Sequence, residues 1–152
     1  MTAARTTAAT LMAASLTLSL SLGASAQDSP QEQRHAIMED VGDAMGVLGG
    51  MAKGETAYDG DAAIAALDTM ITEAPVFLTL FPEGSETGHD TRAKPEIWSD
   101  RAGFEEKGEA MITAASNAKE TAGNGLDALR AAMGPLGQSC RGCHETYRAP
   151  KN

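Results

Sequence analysis

The sequence predicts an all-α protein, an antiparallel up-down-up-down four-helix bundle. Three observations carry this expectation. Nothing after Ala26 alternates polar and apolar residues with the period of two that a half-buried strand requires. Four runs instead repeat apolar residues at steps of three and four, the spacing of a bundle seam. Short connections make successive runs antiparallel neighbours, and each apolar side can be buried only by the others.

Taken in order, Met1 to Ala26 reads as a leader outside the fold. Arg5 supplies a positive start, Leu11 to Leu20 an apolar core, and Ala24-Ser25-Ala26 the small residues of a cleavage site before Gln27. The apolar core is too short to span a bilayer, so no stable membrane insertion is expected after cleavage. The remaining residues, 27–152, suffice for one domain. Cleavage removes one of the 12 basic residues and none of the 21 acidic ones, taking the formal charge from −9 to −10. Such a surface argues against nucleic acid and anionic membranes, and favours a basic face on any protein partner.

The first run covers about Gln31 to Lys53, with Arg34, Met38, Val41, Met45, Leu48 and Ala52 facing inward and Gly54 as its stop. Gly42, Gly46, Gly49 and Gly50 lower its helix propensity, and permit close packing or room beside a cofactor. The second run, about Asp61 to Leu80, turns Ile64, Leu67, Ile71, Ala74 and Leu78 inward. Pro75 predicts a kink or break near Ala74. Phe77, Leu80 and Phe81 give it a bulky apolar end. Breakers between Pro82 and Pro95 mark a polar loop, with His89 on its surface. The third run starts near Pro95 or Glu96 and reaches about Ala122 along Trp98, Ala102, Glu105, Gly108, Met111, Ile112, Ala115 and Ala118. The fourth follows Gly123-Asn124-Gly125 and carries Leu126, Leu129, Met133, Leu136, Cys140, Cys143 and Tyr147 on one side.

The chemistry sits in that last run. Cys140-Arg141-Gly142-Cys143-His144 contains the only two cysteines of the chain, and this pattern reads as covalent attachment of one haem c. The thiols add to the haem vinyl groups, and His144 binds the iron from the proximal side. A dithiol redox pair would call for a βαβ setting, and a zinc site for a fourth ligand beyond His35 and His89. No catalytic triad, paired active-site acids or phosphate loop is evident, so no enzyme activity is expected.

With these residues in view, the chain resembles the class II cytochromes c, which include cytochrome c′ and the low-spin c556 type. The resemblance rests on Arg34-His35-Ala36-Ile37-Met38, Phe81-Pro82-Glu83-Gly84, Thr91 through Trp98, and Cys140 through Arg148. It spans nearly all of the chain after the leader, and its haem motif lies near the C-terminus, as in that family. The resemblance implies thioethers at Cys140 and Cys143, His144 as proximal ligand and Arg34 as partner of a haem propionate. It places Met38 on the distal side and Arg92 near a loop position that contacts propionates. Many relatives follow the arginine with glutamine, and His35 departs from that pattern. A permanent charge at Arg34 on an apolar seam independently calls for an anionic partner, either a propionate or a nearby acid.

Two functions follow. If Met38 binds the iron, the expected protein is a periplasmic one-electron carrier with redox protein partners. If Met38 only lines the pocket, the iron is five-coordinate and takes nitric oxide or carbon monoxide. Members of the family resemble two-fold dimers formed through the first two helices, and the small residues here permit a homodimer.

Overall fold

A computed structural model of the chain describes residues 28–151, and the expected leader with its cleavage point lies outside them. Four long helices form the bundle: α1 (Pro30–Lys53), α2 (Gly60–Thr79), α4 (Arg101–Ala122) and α5 (Leu126–Tyr147). A single-turn helix, α3 (Glu96–Ser99), precedes α4. Each long helix packs on the next, and α5 closes the ring against α1. Among the described residues no β-strand occurs; the one bridge, Ala93 to Arg148, ties the α2–α3 loop to the end of α5.

Local chemistry fixes the helix ends. Ser29 Oγ accepts from the Glu32 amide at 3.2 Å while Glu32 accepts from the Ser29 amide at 2.8 Å, a reciprocal cap followed by Pro30 in the first turn. Gly54, at φ 78°, takes the left-handed turn that stops α1, a conformation for which glycine carries no Cβ penalty. Asp59 caps α2 through the Ala62 amide.

The expected break at Pro75 is absent: α2 runs through it without interruption, and α5 likewise continues through Gly134 and Pro135. In α2 the proline is exposed and close to the C-terminal end, while Met70, Ala74 and Leu78 are buried on both sides of it. Tertiary burial of that seam outweighs the loss of one amide donor. The most apolar helix, α2 has the length and mean hydropathy (1.3) of a membrane span, but its seam is spent on the bundle core.

A break does occur inside the third run. Asp100 leaves the helical region at φ −124° and ψ 56°, and its carboxylate accepts from the Gly103 amide to cap α4. Ile97 and Phe104, seven residues apart across the break, are the buried residues, in place of the expected Trp98, Ala102 and Glu105, and Glu105 pairs outside with Arg101 at 2.7 Å. In α1 the buried line includes Ile37, Ala44 and Met51, with Met38 and Met45 beside it at partial exposure. The glycines of α1 pack on no neighbouring helix: a methyl group at Gly42, Gly46 or Gly49 would meet nothing within 4 Å.

Gly103 is a different case. A Cβ there would collide with the Asp100 carboxylate and stand 2.6 Å from the Tyr147 hydroxyl. Gly103→Ala is therefore expected to destabilise the fold by about 1–3 kcal/mol, read as a lower urea midpoint at unchanged slope. Gly42→Ala, in open space, is expected to be neutral or slightly stabilising in the same measurement.

Candidate functional site

A cleft of about 380 Å³ opens between the four long helices at the end that carries the C-terminus of α5. Arg34, His35 and Met38 reach it from α1, and Cys143 and His144 from α5. Its wall is aromatic. Phe81 and Phe104 meet edge to face at 4.8 Å, Phe104 and Tyr147 at 5.3 Å, and Phe77 and Phe81 at 5.1 Å between ring centroids. These edge-on contacts set ring positions as well as burying area. On the outer side of His144 a second, more open hollow is lined by Cys140, Arg141 and Glu145 together with the loop residues Arg92 and Lys94. His144 and Arg92 border both spaces.

The cysteines lie three residues apart on α5, both half-buried and unbridged. Burial pushes both thiols above the usual cysteine range. That is the reverse of the lowered pKa of a dithiol oxidoreductase. Burial, with the positive charges of Arg148 and Arg92, pushes the His144 imidazole down, so it is neutral at pH 7 with a free lone pair. Among the described residues no three His, Cys, Asp or Glu side chains converge as a cage for a metal ion.

Arg34 is 5% exposed. Its guanidinium donates to the Ser85 carbonyl at 2.8 Å and the Ser85 hydroxyl at 3.4 Å, and lies 4.5 Å from the Phe81 ring centroid. It makes no ion pair among the described residues, and Glu86 acts on it only at longer range. Burial lowers its pKa, yet an arginine keeps its charge at any physiological pH. A buried, uncompensated cation facing a cleft calls for an anionic group inside that cleft. A flat, apolar macrocycle with carboxylate arms and a central metal answers each feature: aromatic walls, the Cys143 thiol in the cleft with Cys140 one turn before it at the outer hollow, a neutral imidazole and an uncompensated guanidinium.

The loop between α2 and α3 is strapped to α5. Lys94 N–H donates to the Tyr147 carbonyl at 3.0 Å, Ala149 N–H to the Arg92 carbonyl at 2.8 Å, and the Arg92 guanidinium returns to the Ala149 carbonyl at 2.9 Å. Arg92 is thus held beside His144. His35 lies at the cleft lip, its side chain 77% exposed and 3.3 Å from Glu39. His89, on the loop surface as expected, also reaches the rim, 3.4 Å from Glu32. Ser85, Ile97, Phe104 and Asp100 were not singled out by sequence as site residues. Ser85 meets Arg34 from the α2–α3 loop, and the α3–α4 break at Asp100 had the Asp100-x-x-Gly103 cap as its available signal.

Tyr147 donates to Asp100 Oδ2 at 2.7 Å, and this hydrogen bond pushes its pKa up to about 12. The native value stands above the unfolded value of about 10. The neutral phenol therefore stabilises the fold fully below pH 10, and that contribution is lost as pH rises from about 10 to 12. Alkaline difference spectra are expected to show a tyrosinate step near pH 12 that Tyr147→Phe removes.

The family model described as Cytochrome C′ matches residues 29–148. A cytochrome c-554 of Cereibacter sphaeroides is 41% identical over 145 residues, covering 90% of this chain and 95% of its own. The solved structure of cytochrome c′ from Rhodopseudomonas palustris superposes with a TM-score of 0.78 at 32% identity, over 83% of this chain and all of that one. A nitric oxide complex of a point mutant of cytochrome c prime from Alcaligenes xylosoxidans superposes at 0.71 with 32% identity, over 82% and 99% of the two chains.

Proposed function

The chain belongs to the cytochrome c′ family, whose cofactor is a covalently attached haem c, and on that premise we propose that it is a periplasmic one-electron carrier. When bound, haem c supplies a reversible ferric–ferrous couple. In this reading Cys140 and Cys143 hold it as thioethers and His144 supplies the proximal nitrogen. Arg34 takes a propionate, exchanging part of its Ser85 contact for a charge-assisted one. Arg92, fixed by the Ala149 carbonyl, adds positive charge beside the same group. His35, occupied with Glu39 at the lip, is left out of this set. The observation that carries the reading is Arg34, a buried cation without an ion pair in the cleft that also receives Cys143, His144 and Met38.

Met38 decides between electron transfer and gas binding. Its flexible thioether lines the cleft from α1, across from α5. A methionine ligand would close the sixth position and favour the ferrous state, as an electron carrier requires. The second reading has support of its own: the wall formed by Phe77, Phe81, Ile97 and Phe104 is apolar, which admits an uncharged diatomic, and a similar structure is a nitric oxide complex.

Absorption spectra of the oxidised and reduced holoprotein, with and without carbon monoxide, separate the two. We expect low-spin spectra in both states, little change on adding the gas, and conversion to a high-spin, gas-binding form in Met38→Ala. A high-spin ferrous spectrum that responds to carbon monoxide, with Met38→Ala leaving coordination unchanged, would sink the carrier reading and favour the gas-binding one.

A further inference from the structure

The charge of the chain is distributed unevenly. Lys53, Arg101, Lys119 and Arg130 each form an ion pair with a carboxylate. Around the outer hollow the pattern reverses. Its lining contains Arg92, Lys94, Arg141 and Arg148 against one carboxylate, Glu145, and Lys151 follows directly in sequence. Of these five cations only Lys94 has an ion-pair partner among the described residues, Glu96 at 3.9 Å. Arg141, Arg148 and Lys151 are exposed. Two propionates would offset two charges, and Arg34 already answers one of them from inside the cleft.

We propose that this basic rim, on the outer side of His144, is the docking face for a redox partner protein that presents a carboxylate-rich surface. The proposal rests on the electron-carrier reading and gives it a partner polarity opposite to that suggested by the whole-chain charge. Distance decides which charge the partner feels. The 24-residue α1 is about 36 Å long, whereas at 0.1 M salt charges farther than about 10 Å are largely screened. A partner approaching the rim therefore responds to the local cations more than to acids along the bundle flanks. The rim also adjoins Cys140 and His144, so a partner seated there stands next to the residues that hold the cofactor.

The test uses the reduced holoprotein and ferricyanide, a compact anion. One electron passes from ferrous iron to ferricyanide, giving ferric protein and ferrocyanide, with no bond or proton transferred. Between about 50 and 500 mM salt the rate is expected to fall as salt is added, the sign of attraction despite a net negative chain. Arg141→Glu combined with Lys151→Glu is expected to lower the low-salt rate at least about threefold and flatten the salt dependence. Should Arg141→Glu reduce haem attachment, Arg141→Gln with Lys151→Gln carries the same test with half the charge change.

Calorimetric titration with poly-L-glutamate is expected to show binding that the double variant loses, and it reads the rim without using the iron. A rate that rises with salt overturns the proposal, as does a double variant equal to wild type, or an equal loss in Lys53→Glu. Binding to phosphatidylglycerol vesicles without binding to poly-L-glutamate also overturns it, because the rim would then be a membrane contact. A preparation lacking a Soret band defeats the electron-carrier reading, while the titration still reports on the rim.

Discussion

His144→Ala is expected to leave the pigment bound to the polypeptide and abolish its native absorption spectrum. The two effects separate because attachment and ligation belong to different side chains. The thioethers would still form at Cys140 and Cys143, three residues apart on an α5 turn that alanine keeps helical. Only the imidazole is lost, and no neighbouring histidine replaces it: His35 is turned to Glu39 and His89 to Glu32. Adding free imidazole should restore a nitrogen-ligated spectrum, a response that a merely structural role for His144 would not produce. An unchanged spectrum in His144→Ala would remove this residue from the iron.

The second large effect is on stability. Phe104→Ala is expected to cost about 3–5 kcal/mol, measured by urea denaturation, out of a total of about 5–15 kcal/mol for a domain of this kind. Phe104 is 1% exposed and stands between Phe77, Phe81 and Tyr147, at ring distances of 6.3, 4.8 and 5.3 Å. The Arg101 guanidinium also lies 5.6 Å from its ring centroid, and Phe77 and Tyr147 are carried by α2 and α5. Phe104→Leu keeps most of the volume and should cost less than about 1.5 kcal/mol. Because Phe104 also lines the cleft, Phe104→Ala should broaden the haem absorption bands as well, whereas an equally buried change far from the cleft, such as Leu129→Ala, should lower stability alone.

The bundle was legible because it depends on periodicity, and the proposed attachment residues stand out because they form one local motif. The spacing Leu129, Leu136, Cys143 and Tyr147 survives the helix-breaking Gly134-Pro135 pair, and the structure keeps α5 whole for the same reason: the seam is buried. Pro75 misled for a related cause, since the propensity of a single residue was weighed above the burial of Met70, Ala74 and Leu78 around it. The third run was misphased by one residue at its start: the buried line runs through Ile97, Phe104, Ala115, Ala118 and Ala122 rather than through Trp98, Ala102 and Glu105. Arg34 was legible as a charge on an apolar seam, but its Ser85 and Phe81 partners come from a loop 51 and 47 residues away, beyond the reach of periodicity. The basic rim was hidden by the net charge, because Arg92 and Lys94 join Arg141 and Arg148 only through the backbone strap to α5.

The intact mass of the protein, purified from a host that exports it and attaches haem and then denatured, tests the central claim most directly. The account predicts a single species heavier than the polypeptide by one haem, and a peptide spanning Cys140 to His144 that carries the whole increment. A polypeptide of unmodified mass, its pigment released on denaturation, would contradict it.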